Sequence, residues 1–317
     1  MNGLSHPTRA LAFGASLLSV CLLSQCGKET SPKEAAAPQA SPAPTAAPTP
    51  TPAAAAPAPA EPKKEKLVWN DGLVHAEIKH FNPSYQGDAQ FRIEDGEVIA
   101  VAANGPGIAD LSFAARWPLI SLDIKGTSIT DLKVLRGKPL QELFIEDTAV
   151  QDLSPLRGMP LEKLYISGSP VRDILPLEGM PLKEFNAVGT QVADLTPLAK
   201  CPIQMLWLTG SPVQSISALA GMPLVSVTLQ GTRVKDLSPL AGSALQRLHI
   251  AETPVEDLTP LKGMTSLTRL VFTPANIKLG MDVAKSLPLQ EIGTRFDEEG
   301  KDLVSPAQFW ANQPAAK

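Results

Sequence analysis

Residues 161–181 read LEKLYISGSPVRDILPLEGMP, and this sentence returns every 21 or 22 residues in copies that begin at Leu119, Leu140, Leu161, Leu182, Ile203, Leu224, Leu245 and Leu267. Leu161, Leu164, Ile166, Val171, Ile174 and Leu177 mark the letters that stay apolar almost throughout. The eleventh letter, for example, runs Ile129, Val150, Val171, Val192, Val213, Val234, Val255 and Ile277. A fixed period of this size marks a solenoid, because no single unit can bury its own apolar face and each must lean on its neighbours.

The first six letters, L-x-x-L-x-L, alternate at their end like a strand with one buried side, so stacked copies predict a parallel β ladder. A small residue and a hydroxyl follow, as in Gly126-Thr127, Gly168-Ser169, Gly189-Thr190, Gly210-Ser211 and Gly231-Thr232. They suit a tight bend whose backbone needs a side-chain partner. In Asp152 to Leu156 and Asp257 to Leu261, Ser154 or Thr259 is placed to cap a short helical turn, with Pro155 or Pro260 where a missing N–H is harmless. Gly and Pro a few residues later keep that turn from lengthening into a full helix.

These letters resemble the leucine-rich-repeat signature with Thr or Ser in place of the usual Asn. The D-L-S-P-L-x-G-M-P half resembles a bacterial leucine-rich-repeat family with internalin-like repeats, related to arrays that are sometimes linked to Ser/Thr kinases. The resemblance spans about Val74 to Trp310. It implies an α/β leucine-rich-repeat solenoid with a parallel β ladder on a concave face, short 3-10 or irregular turns on the convex face, and a cap at each end. Asn82-Pro83 to Gly87 with Ile93 to Val98 resembles the family's lead-in, and Pro306 to Trp310 resembles its closing P-A-x-F-W segment.

The residues themselves agree with such caps. Val74, Ile78 and Phe81 fall on one face of a helix begun at Asp71. Asp95-Gly96 is a hairpin turn. Ile108 to Pro118 aligns with Val150 to Pro160 as a degenerate repeat, Trp117 replacing Met159.

Residues 1–26 read as a secretory leader, with Arg9 before the short apolar run Leu11 to Leu23. Leu23-Ser24-Gln25-Cys26 resembles a bacterial lipobox, although Gln25 departs from the small residue expected there; the resemblance implies lipidation at Cys26. Cleavage with release, or retention as an uncleaved anchor, are the alternatives. Residues 27–66 are almost entirely Pro, Ala, Thr, Ser, Glu and Lys, a mixture that cannot bury a core and predicts an extended, disordered tether. Residues 67–118 then form an N-terminal cap with the degenerate repeat, 119–288 the repeats, and 289–317 a C-terminal cap and tail.

Chemistry finds little footing. A net charge of −4 is too small to argue for nucleic acid or for an anionic membrane surface, and no nucleic acid and membrane contact through the lipid alone are expected. Cys201 is the one thiol after Cys26 and stands where other copies place Met159, Met180 and Met222, which predicts a buried hydrophobe. Asp131, Asp152, Asp173, Asp194, Asp236 and Asp257 form a column interrupted by Ser215. Each stands two residues before the turn, so it is expected to accept backbone N–H groups rather than to hold a metal. His75 and His80 are expected to face solvent, and with His249 they make no zinc spacing and flank no nucleophile. Gly105-Pro106-Gly107 lacks the strand-to-helix setting of a phosphate loop, and the kinase motifs are absent. No enzyme activity, cofactor or metal is implied.

The letters that the repeat leaves free carry more information. The fifth runs Asp123, Phe144, Tyr165, Asn186, Trp207, Thr228, His249 and Val271, a column expected to be exposed along the concave sheet. The chain has only nine Phe, four Trp and two Tyr, so three aromatics in one outward column favour a binding face over ordinary cross-strand packing. The third letter adds Glu142, Lys163, Glu184, Met205, Arg247 and Arg269, so the strip is acidic early and basic late. The sequence therefore predicts a non-enzymatic protein-interaction module, lipid-anchored on a bacterial envelope. Phe144, Tyr165 and Trp207 would anchor the partner, Glu142, Glu184 and His249 share the face with them, and Arg247 and Arg269 read an acidic part of the partner. A glycan- or peptidoglycan-binding surface and a regulatory partner of a Ser/Thr kinase are the alternatives.

Overall fold

The computed structural model describes residues 67–295 and 302–312. The leader, the lipidation expected at Cys26 and the Pro/Ala-rich stretch all lie outside the described residues, as does part of the C-terminal cap.

The strands stack in chain order into one sheet. A hairpin opens it, β1 (Gln90–Glu94) against β2 (Glu97–Ala102). Asp95 at φ 49° and Gly96 at φ 74° turn the chain, a left-handed pair that suits the right-handed twist of the two strands. Nine parallel three-residue strands follow: β3 (Ser121–Asp123), β4 (Glu142–Phe144), β5 (Lys163–Tyr165), β6 (Glu184–Asn186), β7 (Met205–Trp207), β8 (Ser226–Thr228), β9 (Arg247–His249), β10 (Arg269–Val271) and β11 (Glu291–Gly293). They pair in strict repeat register, so Leu122, Leu143, Leu164, Phe185, Leu206, Val227, Leu248, Leu270 and Ile292 form one buried row.

Register also extends the repeat upstream of where its letters are recognisable. Val101 pairs with Leu122, so Val98, Val101, Ala103, Ile108, Leu111 and Ala114 fill the inward positions of a complete first coil, and all six are buried. Only the second half of that coil shows in the sequence. Valines stand at Val98 and Val101 where leucines stand elsewhere, alanines stand at the inward positions 103 and 114, and the coil's strand does duty as the second arm of a hairpin.

On the side opposite the sheet, each coil makes a 3-10 turn, such as Ser154–Leu156 and Thr259–Leu261. The expected Ser/Thr cap is corrected here. Ser154 and Thr259 are the first residues of their turns, and the capping acceptor is the aspartate two residues earlier. Asp152 Oδ1 takes the Ser154 N–H at 2.8 Å while its Oδ2 takes the Ser154 hydroxyl at 2.7 Å, and Asp257 treats Thr259 in the same way at 2.7 and 2.9 Å. Asp131, Asp173, Asp194 and Asp236 each accept the N–H two residues on. This is the structural role expected of the column. The helical turn frees N–H groups at its start, and a carboxylate two residues back reaches them.

The bend between strand and turn is held by four of the five predicted hydroxyls and by Thr148 and Thr253, while the fifth, Ser211, is buried with its Oγ unpartnered. Thr127, Thr148, Ser169, Thr190, Thr232 and Thr253 are buried, and each Oγ donates to the carbonyl three residues earlier. Cys201 is buried in the column of Met159, Met180, Met222 and Met264, and burial pushes its thiol pKa up, as suits an inert core side chain.

Both ends are closed. Helix α1 (Asp71–Phe81) lays Val74 and Ile78 on the first coil; its cap is Asn70, whose Oδ1 accepts from the Leu73 N–H at 3.1 Å, with Asp71 inside the first turn. At the far end, α2 (Met281–Ser286) replaces the last 3-10 turn. It starts at Gly280, where any Cβ would lie 2.5 Å from the Thr259 nitrogen. Helix α3 (Pro306–Ala311) opens with a Ser305/Gln308 capping box, buries Phe309 against Phe272, and follows a bridge from Val304 to the outer edge of β11. Covering the last coil in this way blocks addition of another strand.

Candidate functional site

The outward face of the sheet carries the third, fifth and seventh letters of each coil. Phe144, Tyr165 and Trp207 lie together on it, each half-buried by the others. The Phe144 and Tyr165 rings stand 5.0 Å apart at 77°, and Tyr165 and Trp207 stand 5.8 Å apart at 59°. Tyr165 and Trp207 are not on neighbouring strands, because Asn186 lies between them in register. The two long side chains therefore lean toward each other above a short one. Asn186 is itself fixed: its Oδ1 accepts from the Ser167 hydroxyl at 2.6 Å and the Val188 N–H at 3.2 Å.

The third row is a ladder of alternating charge. Lys163 Nζ lies 3.1 Å from Glu142 and 3.8 Å from Glu184 on the strands to either side. Glu184 also accepts the Tyr165 hydroxyl at 2.8 Å. Burial, that hydrogen bond and the fields of Glu184, Glu146 and Glu142 raise the Tyr165 pKa, so the phenol stays neutral. The order Glu, Lys, Glu at intervals of 21 residues could have revealed this ladder in the sequence, since opposite charges on adjacent strands pair. In the seventh row Glu146 is half-buried, with one carboxylate oxygen enclosed and lacking a hydrogen-bond partner; burial raises its pKa above the usual carboxylate range.

The late part of the face differs from expectation. His249, predicted to be exposed, is only 4% exposed, and its row neighbours Thr228 and Val271 are buried too. Adjacent parallel strands bring the side chains of a row within about 5 Å of one another, and here they close over the ring instead of offering it. Burial, then the charges of Arg269 and Arg247, push the imidazole pKa down to about 4. Arg269 is ion-paired with Glu291, and Arg247 Nε donates to Ser226 Oγ at 3.4 Å. The basic end is thus partly satisfied within the sheet itself. His75 also departs from expectation. It is half-buried, with Nδ1 2.6 Å from the Tyr85 hydroxyl and its ring edge-on to Phe91, whereas His80 is exposed.

Elsewhere, a cleft of about 370 Å³ opens on the N-terminal cap between Ser84–Asp88 and Asn104–Ile108. Its lining contains one carboxylate, Asp88, and neither imidazole nor thiol, so it assembles no nucleophile–base pair. Among the described residues no group of three or more His, Cys, Asp or Glu side chains could hold a metal ion.

Comparison with protein-family models and with curated proteins returns no match. Among solved structures, the internalin inlF of Listeria monocytogenes superposes with a TM-score of 0.58 at 23% identity, covering 72% of this chain and 70% of that one. The internalin C2 of the same species gives 0.55 at 20% identity, covering 65% of this chain and 95% of its own. At these identities the likeness carries the fold alone. It is the leucine-rich-repeat solenoid of the internalins that this chain adopts, a long parallel ladder of short strands alternating with 3-10 turns.

Proposed function

We propose that this protein is a non-enzymatic protein-interaction module that presents its outward sheet face to a protein partner, held on a bacterial envelope by a lipid at Cys26. The observation that carries the reading is the contacting trio Phe144, Tyr165 and Trp207, with Val188 and Met205 on the same face and a polar rim around them. Aromatic clusters with polar rims are where binding energy concentrates at interfaces. The trio is half-exposed although the fold has no need of it, since the inward rows bury the core on their own. Tilts of 77° and 59° between the rings make a notched surface that suits inserted side chains, whereas stacked sugar rings need coplanar platforms. The Tyr165 hydroxyl already donates to Glu184, which leaves it only as an acceptor toward a sugar.

A photo-crosslinking amino acid at Thr209, in the seventh row beside Trp207, tests this in the native cells. It should trap one discrete polypeptide, and replacing Phe144, Tyr165 and Trp207 with Thr should abolish the product while the circular dichroism stays that of the parent. Crosslinking unchanged by those substitutions would overturn the reading, as would exclusive recovery of cell-wall glycan. Labelling with a radioactive fatty acid, lost in Cys26→Ser, tests the anchor.

A further inference from the structure

The aromatic half of the face is acidic, and its cations are already spoken for. On β3 to β7 the third, fifth and seventh rows hold Asp123, Glu142, Glu146 and Glu184 against Lys125 and Lys163. Lys125 pairs with Asp123 at 3.3 Å, and Lys163 is shared by Glu142 and Glu184. Three of the carboxylates, Glu184, Glu146 and Glu142, act on the Tyr165 ring, so negative charge surrounds the centre of the trio. Glu146 is the least satisfied of them, with its enclosed oxygen unpartnered. Asp147, at φ 53° in the adjoining bend, adds a further carboxylate.

We infer that this half of the face takes an extended peptide segment of a partner protein carrying arginine or lysine side chains, which lie over Tyr165 and Trp207 with their charge toward Glu146. The inference rests on the protein-docking reading above and names the chemistry of the docked segment. Two physical effects coincide at this place. A ring face attracts a cation through its quadrupole, and a half-buried carboxylate attracts a charged donor more strongly than a fully solvated one does. Arginine satisfies both at once, because its planar guanidinium stacks on a ring while its edge donates to a carboxylate. An acidic segment would meet carboxylates on both sides of the trio. The arginines that could receive it lie beyond the closed row of Thr228, His249 and Val271, where Arg269 is already paired with Glu291.

Three acetylated and amidated hexapeptides serve as probes, alternating leucine with arginine, with the uncharged isostere citrulline, or with glutamate. Titrated calorimetrically into the full chain at low salt, the arginine peptide should bind saturably, about tenfold or more tighter than the citrulline peptide, and weaken as salt rises. Glu146→Gln and Trp207→Thr should each weaken it several-fold with unchanged circular dichroism, and Trp207→Phe should retain most of the binding. Equal affinity for the citrulline peptide overturns the inference, and so does arginine-peptide binding indifferent to both substitutions, which would be diffuse attraction. Preferential binding of the glutamate peptide, of a chitin oligosaccharide, or of a second copy by sedimentation overturns it as well. The broader reading fails separately: if the Thr209 crosslink is lost in the triple Thr variant yet unchanged in Glu146→Gln, the face docks a protein and the cationic segment is wrong.

Discussion

The two halves of the outward face are built on the same scaffold and end differently. From β4 to β7 the fifth row holds Phe144, Tyr165, Asn186 and Trp207, all half-exposed; from β8 to β10 it holds Thr228, His249 and Val271, all buried. The inward rows and the register are the same in both. A position that points away from the core is therefore not necessarily a position that meets solvent. In a parallel ladder each side chain is flanked at about 5 Å by its row neighbours. Three rings too large to lie flat stand up and tilt on one another, whereas a β-branched residue on either side of an imidazole seals it in.

Charge insertion should break this comparison most strongly. Val271→Lys places an ammonium in the sealed row, with Arg247 and Arg269 nearby in the third row. It should destabilise the protein by about 3 to 5 kcal/mol, the usual scale for a buried charge left without a partner. Trp207→Lys puts the same group in the open row, where the stem can lie along the sheet and the head reach water. That change should lie within about 1.5 kcal/mol of the parent. Urea denaturation of the two variants gives both numbers, and similar losses would mean that the halves do not differ as described.

Acid sharpens the comparison next. His249 has a folded pKa near 4 against 6.5 for the free side chain, so below pH 6.5 the unfolded chain binds a proton that the folded chain refuses. Stability should then fall as pH drops from 6.5 toward 4 and level off below, a loss of about 3 kcal/mol at most by linkage. His249→Met should remove that slope. Glu146 works in the opposite sense. Its raised pKa means that the folded chain binds a proton more readily there, so this group favours folding as pH falls, and Glu146→Gln should stabilise the protein at pH 7.5. Denaturation midpoints from pH 7.5 to 4 separate the two, since one variant flattens the acid loss and the other steepens it.

How much of this was legible in the sequence follows from which forces repeat. Burial and turn-capping act in the same way in most coils, so Leu164, Ser169 and Asp173 recur as letters and their roles can be read from their recurrence. The strand of the first coil escaped because its inward places hold Val98, Val101 and Ala103 in place of the usual leucines and isoleucine, and register against β3 reveals it. On the outward face the decisive contacts join different letters in neighbouring coils: Tyr165 to Glu184, Lys163 to two glutamates, Tyr165 to Trp207 across Asn186. A column read one letter at a time finds the aromatic trio. It does not show that His249 is enclosed, because enclosure depends on the bulk of its neighbours rather than on the direction of its own side chain.

The smallest predicted effect lies at the seam between the halves. The coil that carries Trp207 is the only one from β3 to β9 whose capping aspartate is missing. Ser215 stands in its place and accepts the Ser217 N–H at 3.3 Å, whereas the aspartates accept theirs at 2.7 to 2.8 Å. A neutral hydroxyl at that length is a weaker acceptor than a carboxylate facing the start of a helical turn. Ser215→Asp should therefore stabilise the chain by about 0.5 to 1 kcal/mol, and amide exchange should slow at Ser217 and in its coil before it slows elsewhere. If protection rises uniformly instead, the seam is no weaker than the rest, and the change from open to closed face owes nothing to the scaffold beneath it. If it rises locally while arginine-peptide binding is unaltered, cap and face are independent, as expected for letters that point to opposite sides of the same coil.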